Sequence, residues 1–279
     1  MANRIDSATN GKIKLAASLR QRKYREKEGL FLAEGVRLSE MAADSGWDIS
    51  FGLYTERAAE EERTRALLAG LEGKGCRIYE VPEAVFAKAS ATDTPQGILL
   101  VIGQRKLPLE QLALPDNPML MVMDGIQDPG NAGTMVRLAD AAGMDGVILL
   151  KGCVDVFSDK VVRATMGSLF HLPMCADVGR DELVKFARQR GIRLYAAVLD
   201  EGAVTCYEVD FSEKIAMVFG NETHGVSEEI LGEALKVYIP MFGRAESLNV
   251  ATASAVTVYE AVRQRRYGKL LRPSGGDGG

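Results

Sequence analysis

The sequence predicts an α/β protein in two parts: a parallel sheet covered on both faces, preceded by a smaller α/β unit. Three observations carry this expectation. Apolar runs at 119–123, 147–150, 194–199 and 215–219 recur between helical stretches, and unbroken apolar strands joined by helical crossovers mark a sheet buried on both sides. The first hundred residues repeat the alternation with shorter elements and more charge, as in a small sheet flanked by helices. Between the two parts, residues 103–118 hold Pro108, Pro115 and Pro118 and show little periodicity, which reads as a linker.

Taken in order, the chain opens with a basic helix at about 12–21, then an extended 30–32 and a helix at 35–43 with Val36, Leu38 and Met41 apolar. Residues 49–54 alternate like a strand, 58–71 form a charged helix stopped near Gly70 and Gly73, and strands at 77–81 and 97–102 flank a helix at 82–89. In the second part, strand 119–123 leads into a loop at 124–133 and a helix at 134–142, stopped by Gly143. Strand 147–150, helices at 159–165 and 181–190, and strands 194–199 and 215–219 follow. A helix at 227–235, a strand at 237–239 and a long helix at 249–267 complete it, the last rich in small residues. The expected domains are therefore 1–102, a linker 103–118, a second domain 119–268 and a flexible Gly-rich tail 269–279.

Composition narrows the function. The chain has 279 residues, 47% of them hydrophobic, enough for two modest domains with their own cores. No apolar run approaches a membrane span, and residues 1–4 lack the apolar core of a signal peptide, so the cytoplasm is the expected location and no membrane partner is expected. Cys76, Cys153, Cys175 and Cys206 lie far apart, and His171 and His224 are the only histidines. Neither a disulfide framework nor a metal site is suggested. The net charge of −4 hides an asymmetry: residues 12–27 carry seven basic residues against one acid, Glu26, and Arg263, Arg265, Arg266, Lys269 and Arg272 form a second basic run. Basic clusters on an acidic protein fit either solvated helix faces or a docking face for nucleic acid.

The familiar fingerprints are missing. There is no G-x-S-x-G elbow, no Walker loop and no G-x-G-x-x-G after a strand. Three loops remain, each at the carboxyl end of an expected strand, the ligand edge of an open α/β sheet. The first holds Asn131, Gly133 and, a turn further on, Arg137, which suits an anion near a helix start as well as a surface ion pair. The second, 219–225, has glycines at both ends and Glu222 between them. In the third, Pro240 ends a strand and Ser247 and Asn249 are of the type that caps a helix. Each alone is also an ordinary strand-to-helix turn.

Together, N-x-G-x-x-x-R in the first loop, F-G-N-E-x-x-G in the second and I-P-M-x-G-x-x-x-S-L-N-V in the third resemble, in order and spacing, the three signature motifs of the SpoU (TrmH-type) RNA ribose 2'-O-methyltransferases. The resemblance covers residues 119 to about 267. The first domain is similar to that family's substrate-binding domain through residues 14–25, 31–37 and 90–97. The resemblance implies the SPOUT fold with a deep trefoil knot, a homodimer through the C-terminal domain, and S-adenosyl-L-methionine bound by the knot loops. By position it implies cofactor contacts at Gly220, Asn221, Ile239, Met241, Ser247 and Leu248, and polar active-site residues Asn131, Arg137, Glu222, Ser247 and Asn249, with no metal. Structured RNA is the implied partner, ribosomal RNA ahead of transfer RNA. The contrasting reading is a non-catalytic RNA-binding or assembly protein that keeps the fold, against which the full polar set argues.

The chemistry fits these residue types. Methyl transfer from a sulfonium requires a ribose hydroxyl held in line and its developing negative charge stabilised. Arg137 is a poor proton acceptor at neutral pH, so its expected work is to grip the substrate phosphate and supply positive charge. Glu222 is expected to orient Arg137 or the ribose. Lys12, Lys14, Arg20, Arg22, Lys23 and Arg25 are expected to meet phosphates in a sequence-independent, salt-sensitive way.

Overall fold

The structure, a computed structural model, describes residues 3–200 and 202–268; the expected tail at 269–279, with Lys269 and Arg272, lies outside them. The chain divides into two compact units, one formed by residues up to 105 together with 155–171, the other by 106–154 and the residues from 172 onward.

The first unit runs β1 (Asn3–Arg4), α1 (Gly11–Ser18), α2 (Arg22–Glu28), β2 (Leu30–Glu34), α3 (Val36–Asp44), β3 (Ile49–Tyr54), α4 (Glu56–Glu60), α5 (Glu62–Gly73), β4 (Ile78–Glu80), α6 (Glu83–Ala89) and β5 (Ile98–Gly103). Its sheet has the order β1-β4-β3-β5-β2, with β5 antiparallel to both β2 and β3. Leu32, Phe51, Leu53, Leu99 and Val101 turn one sheet face onto Ile13 and Ala16 of α1, Leu19 just beyond it, and Val85, Phe86 and Ala89 of α6. The expected helix at 12–21 ends early and is followed by a second one, and the expected single helix at 58–71 is divided. α1 ends at Ser18 and α2 follows, closed by Gly29 at φ +66, a left-handed cap that favours glycine. Glu61, extended at φ −72 and ψ 127, separates α4 from α5.

The second unit supplies β6 (Met119–Asp124), α7 (Pro129–Ala142) and β7 (Gly146–Leu150). The chain then contributes α8 (Asp159–Ala164) to the first unit. It continues in the second unit with β8 (Met174–Val178), α9 (Arg180–Arg190), β9 (Arg193–Ala197), β10 (Val204–Thr205), β11 (Ile215–Gly220), α10 (Glu228–Leu231), β12 (Leu235–Tyr238) and α11 (Val250–Tyr267). The sheet order is β10-β12-β9-β11-β6-β7-β8, and every pairing is parallel. Every residue of β6 and β11 is buried, as strands covered on both faces require.

Three departures from the sequence reading have physical causes. The expected linker is packed: Leu109 and Leu112 are buried in the core of the second unit beside Leu120 and Val122, so the prolines shape a covering segment. Edge strand β8 was not expected; two of its five residues are exposed and Asp177 sits at φ +58, which breaks the apolar pattern. α7 begins five residues earlier than expected, because Asp128 caps it by accepting the Asn131 N–H at 2.8 Å and Pro129 occupies its first turn, where proline loses no hydrogen bond. Among the described residues no helix is long and apolar enough to cross a membrane.

Candidate active site

The three motif loops follow β6, β11 and β12, so all open at the carboxyl edge of the second unit's sheet. β6 and β11 are direct neighbours, in register from Ile215 opposite Met119 to Gly220 opposite Asp124. Their two loops therefore start side by side.

The second loop is the tightest. Asn221 and Gly225 exchange two backbone hydrogen bonds, at 3.0 and 2.9 Å, and a Cβ on Gly220 would collide with the Gly225 and Val226 backbone. Only glycine lets this loop fold back on its own strand. The Asn221 carboxamide completes the brace: its oxygen accepts from Thr223 N and His224 N, and its nitrogen donates to the Gly125 carbonyl at 2.8 Å. Asn221 thus ties the second loop to the first, with one of its two side-chain N–H donors used in doing so. Below it, buried Asp124 at the end of β6 accepts from Arg180 Nη2 at 2.9 Å and Ser227 N at 2.8 Å, which pins the loop's exit.

A chain of side-chain hydrogen bonds joins all three loops. Asn249 caps α11, its oxygen accepting from Ala251 N at 2.9 Å and Thr252 N at 3.3 Å. That leaves its amide nitrogen to donate to the Asn131 oxygen at 3.0 Å. The Asn131 nitrogen in turn donates to Glu222 Oε1 at 2.6 Å. The cap sets the direction of every later bond, because an amide has one accepting and one donating end. Glu222 thus pairs with Asn131 and, among the described residues, not with Arg137, one of the two groups it was expected to orient. Arg137 is exposed and has no ion pair or hydrogen bond among the described residues. It stands six residues beyond Asn131 on α7, so the two side chains leave the helix about 120° apart in direction.

The third loop has the most unused hydrogen-bonding capacity. Among the described residues, no backbone N–H or C=O of residues 239–248 forms a hydrogen bond within the chain. Ile239 and Met241 are half-buried, while Phe242, Ser247 and Leu248 are exposed. Unpaired backbone groups beside apolar side chains must be met by water or by a ligand with both polar and apolar parts. An adenosine joined to an amino acid is such a ligand, so Ile239, Met241, Ser247 and Leu248 fit the cofactor they were expected to hold, as does the glycine turn at Gly220. Cysteine chemistry is remote: burial pushes the Cys153 thiol, whose sulfur lies 3.1 Å from the Met123 carbonyl, up to about 11, and Cys175 to about 12.

In the first unit the expected phosphate contacts divide. Lys14, Arg20, Arg22 and Lys23 are exposed. Lys12 is half-buried, with its ammonium 5.2 Å from the Phe51 ring centre and 5.1 Å from that of Tyr79. Arg25 is the exception, buried at 4% exposure. Its Nε and Nη2 both donate to Asp155 Oδ2, at 2.8 and 2.6 Å, and its Nη1 to the Leu19 carbonyl. A guanidinium so enclosed is not presented to RNA.

Comparison with known proteins follows the same division. The model of the SpoU rRNA Methylase family matches residues 118–259, and that of the MRM3-like substrate binding domain matches residues 10–100. The 23S rRNA (guanosine(2553)-2'-O)-methyltransferase RlmP of Bacillus subtilis is 39% identical over 259 residues, 91% of this chain and 97% of the relative. The 23S rRNA (uridine(2479)-2'-O)-methyltransferase of Streptomyces viridochromogenes is 31% identical over 274 residues, 96% of this chain and 94% of the relative. Among solved structures, an AdoMet-bound rRNA methyltransferase from Sinorhizobium meliloti superposes with a TM-score of 0.85 at 33% identity, covering 94% of this chain and 98% of that one.

Proposed function

Because the chain belongs to the SpoU rRNA methylase family, we propose that it transfers the methyl group of S-adenosylmethionine to a ribose 2'-hydroxyl of ribosomal RNA. 23S rRNA, the RNA for which its Bacillus and Streptomyces relatives are named, is the favoured substrate. The observation that carries this reading is the hydrogen-bonded chain from Asn249 through Asn131 to Glu222. A structural cap needs neither of those bonds, only the ones Asn249 accepts from Ala251 N and Thr252 N, whereas a site that orients a ribose needs a fixed polar edge at the mouth of the sheet.

The cofactor supplies an electrophilic methyl carbon. The protein's part is positioning and charge. The free backbone of 239–248 and the turn at Gly220 would hold the cofactor, with Leu248, Ile239 and Met241 as apolar walls. Glu222, oriented by Asn131, accepts a hydrogen bond from the substrate, and Ser247 offers a hydroxyl at the same rim. Arg137 supplies positive charge to the attacking oxygen and its neighbouring phosphate, a contribution that grows where water is excluded. Held unpaired, it loses no existing ion pair when it does so.

The angle between Asn131 and Arg137 on α7 favours a homodimer in which each copy's Arg137 serves the other's polar edge. The deep knot and a cytoplasmic location belong to the same proposal. The test is to map 2'-O-methyl groups in ribosomal and transfer RNA from cells with and without the protein, alongside calorimetric titration with S-adenosylmethionine. One ribosomal site should vanish in its absence, and the purified chain should bind the cofactor. Loss of a transfer RNA site instead would move the substrate, and an absence of cofactor binding would leave an RNA-binding protein without methyl transfer.

A further inference from the structure

A cavity of about 320 Å³ lies wholly within the first unit, where the turn between β2 and α3, the loop at 90–97 and α8 meet. Two of its wall residues, Arg163 and Met166, come from the segment 155–171, which the chain sends into this unit from the middle of the methylase sequence.

The walls are fixed. The buried Glu34 carboxylate accepts from Ser90 Oγ at 2.6 Å, Ala91 N at 2.9 Å and Thr92 Oγ1, so it fastens the 90–97 loop and its charge is met internally. Gln96 Oε1 accepts the Val36 N–H at 2.9 Å across Gly35, where φ is +101 and an added Cβ would press on that same oxygen. α8 is held from both ends. Asp155 takes Arg25, Phe157 and Phe170 pack on Phe31 and Trp47, and Gly167 leaves no room for a Cβ beside the Met41 sulfur.

The lining combines three chemistries. Arg37 is exposed with no ion pair among the described residues, and Arg163 spends one nitrogen on Asp159 at 3.0 Å, leaving the rest of its fork. Leu38 and Met166 provide an apolar surface, Met166 with 37% of its area exposed at a left-handed φ of +53. Thr94 and Gln96 provide donors and acceptors at the rim. Two guanidiniums suit a phosphate, and an apolar wall with polar edges suits a base. The volume is at the low end of ligand pockets, which run from about 300 to 1,000 Å³, and has no room for a duplex. Single-stranded RNA is read by splaying out individual bases into sites of this kind.

We infer that this cavity receives one unpaired nucleotide of the RNA substrate, its phosphate against Arg37 and Arg163 and its base against Leu38 and Met166. The inference rests on the RNA-methylation reading and deepens it. It makes 155–171 a device by which the methylase sequence helps to choose the RNA.

The test uses the full chain and transcribed 23S rRNA from the source cell, with affinity measured across a salt series and methyl transfer under single turnover. Arg37→Ala and Arg163→Ala should each weaken binding several-fold and lower the slope of log affinity against log salt by about one. Thr94→Glu, an exposed rim substitution with little bearing on folding, should weaken it further. Cofactor affinity should be unchanged in all three. A photocrosslinker at Met166 should label a single unpaired nucleotide. If the wild type methylates and the three variants match it in RNA affinity, or the crosslinks spread along duplex, the cavity is not a nucleotide site and the proposed function stands. If the wild type transfers no methyl group, the proposed function falls, and the same affinity ratios and crosslink still decide the cavity.

Discussion

Arg25 and Arg137 carry the same guanidinium into opposite circumstances. In the first unit, Arg25 is buried and spends three nitrogens on Asp155 and the Leu19 carbonyl. In the second, Arg137 is exposed, with no partner among the described residues. Both were expected to face RNA, one from a basic run and one from a motif. A basic run says that cations are numerous but not which of them the fold consumes. A motif carries a position on a particular helix, and here that position leaves the charge unspent.

The sharpest way to break this comparison is to remove one partner of the buried pair. The side chains of Arg25 and Asp155 are only 5% and 14% exposed, so Arg25→Ala strands a carboxylate and Asp155→Ala strands a guanidinium. Each should destabilise the first unit by roughly 3–5 kcal/mol, the usual cost of an uncompensated buried charge. Denaturation followed by the fluorescence of Trp47, the sole tryptophan, reads it directly. The double variant Arg25→Met, Asp155→Leu should recover most of the loss. A loss below about 1 kcal/mol for both single variants, the range of exposed pairs, would make Arg25 a surface cation after all.

That pairing also shows where the sequence stopped being legible. Arg25 and Asp155 are 130 residues apart, and no local pattern links them. The strands were readable because apolar runs report burial directly: 49–54 was bounded correctly, and 119–123 and 215–219 to within a residue. The start of α7 was hidden because Asp128-Pro129-Gly130 serves equally as a turn or as a cap followed by a first helical turn. In the site, the resemblance of the three motifs to the SpoU family implied that Asn131, Glu222 and Asn249 belong together, and the folded chain joins them by hydrogen bonds. The direction of their hydrogen bonds, and the commitment of Asn221 to the loop, depend on which end of each amide the backbone occupies. Only the folded chain sets that.

Arg137 gives the next largest expected effect, and it falls on rate where that of Arg25 falls on stability. Arg137→Ala should lower the rate of methyl transfer about 10²–10³-fold, the scale for losing one group that stabilises developing charge. Unfolding free energy and cofactor affinity should change little, since the side chain is exposed and bonded to nothing described. Asn131→Ala should also be inactive. Mixed and allowed to exchange subunits, the two inactive proteins should regain activity, because one site of each heterodimer then has an intact Asn131 and an intact Arg137. No gain on mixing, with exchange verified, would place both residues of each site in one chain.

The smallest effect tests whether a carboxylate that the fold consumes in the second unit behaves as Asp155 does in the first. Glu260 on α11 is 9% exposed, and its oxygens accept from Arg263 at 2.7 and 2.8 Å and from Gln264 at 2.8 Å. The hydrogen bonds from Arg263 hold its carboxyl below the ordinary value of 4.5, opposed by burial and aided by Gln264. A lowered folded-state pKa means that the stabilisation is complete above the unfolded value and disappears as pH falls through the folded one. Glu260→Gln should therefore cost about 1 kcal/mol at pH 7, a modest charged hydrogen-bond contribution, and the gap from the wild type should close below pH 4.5. Arg263 is more exposed than Arg25, and the effect should accordingly be smaller than at Asp155 and weaken with salt. A gap of constant size from pH 7 down to pH 3 would show that Glu260 is held by packing of its carbons along α11 and not by its charge.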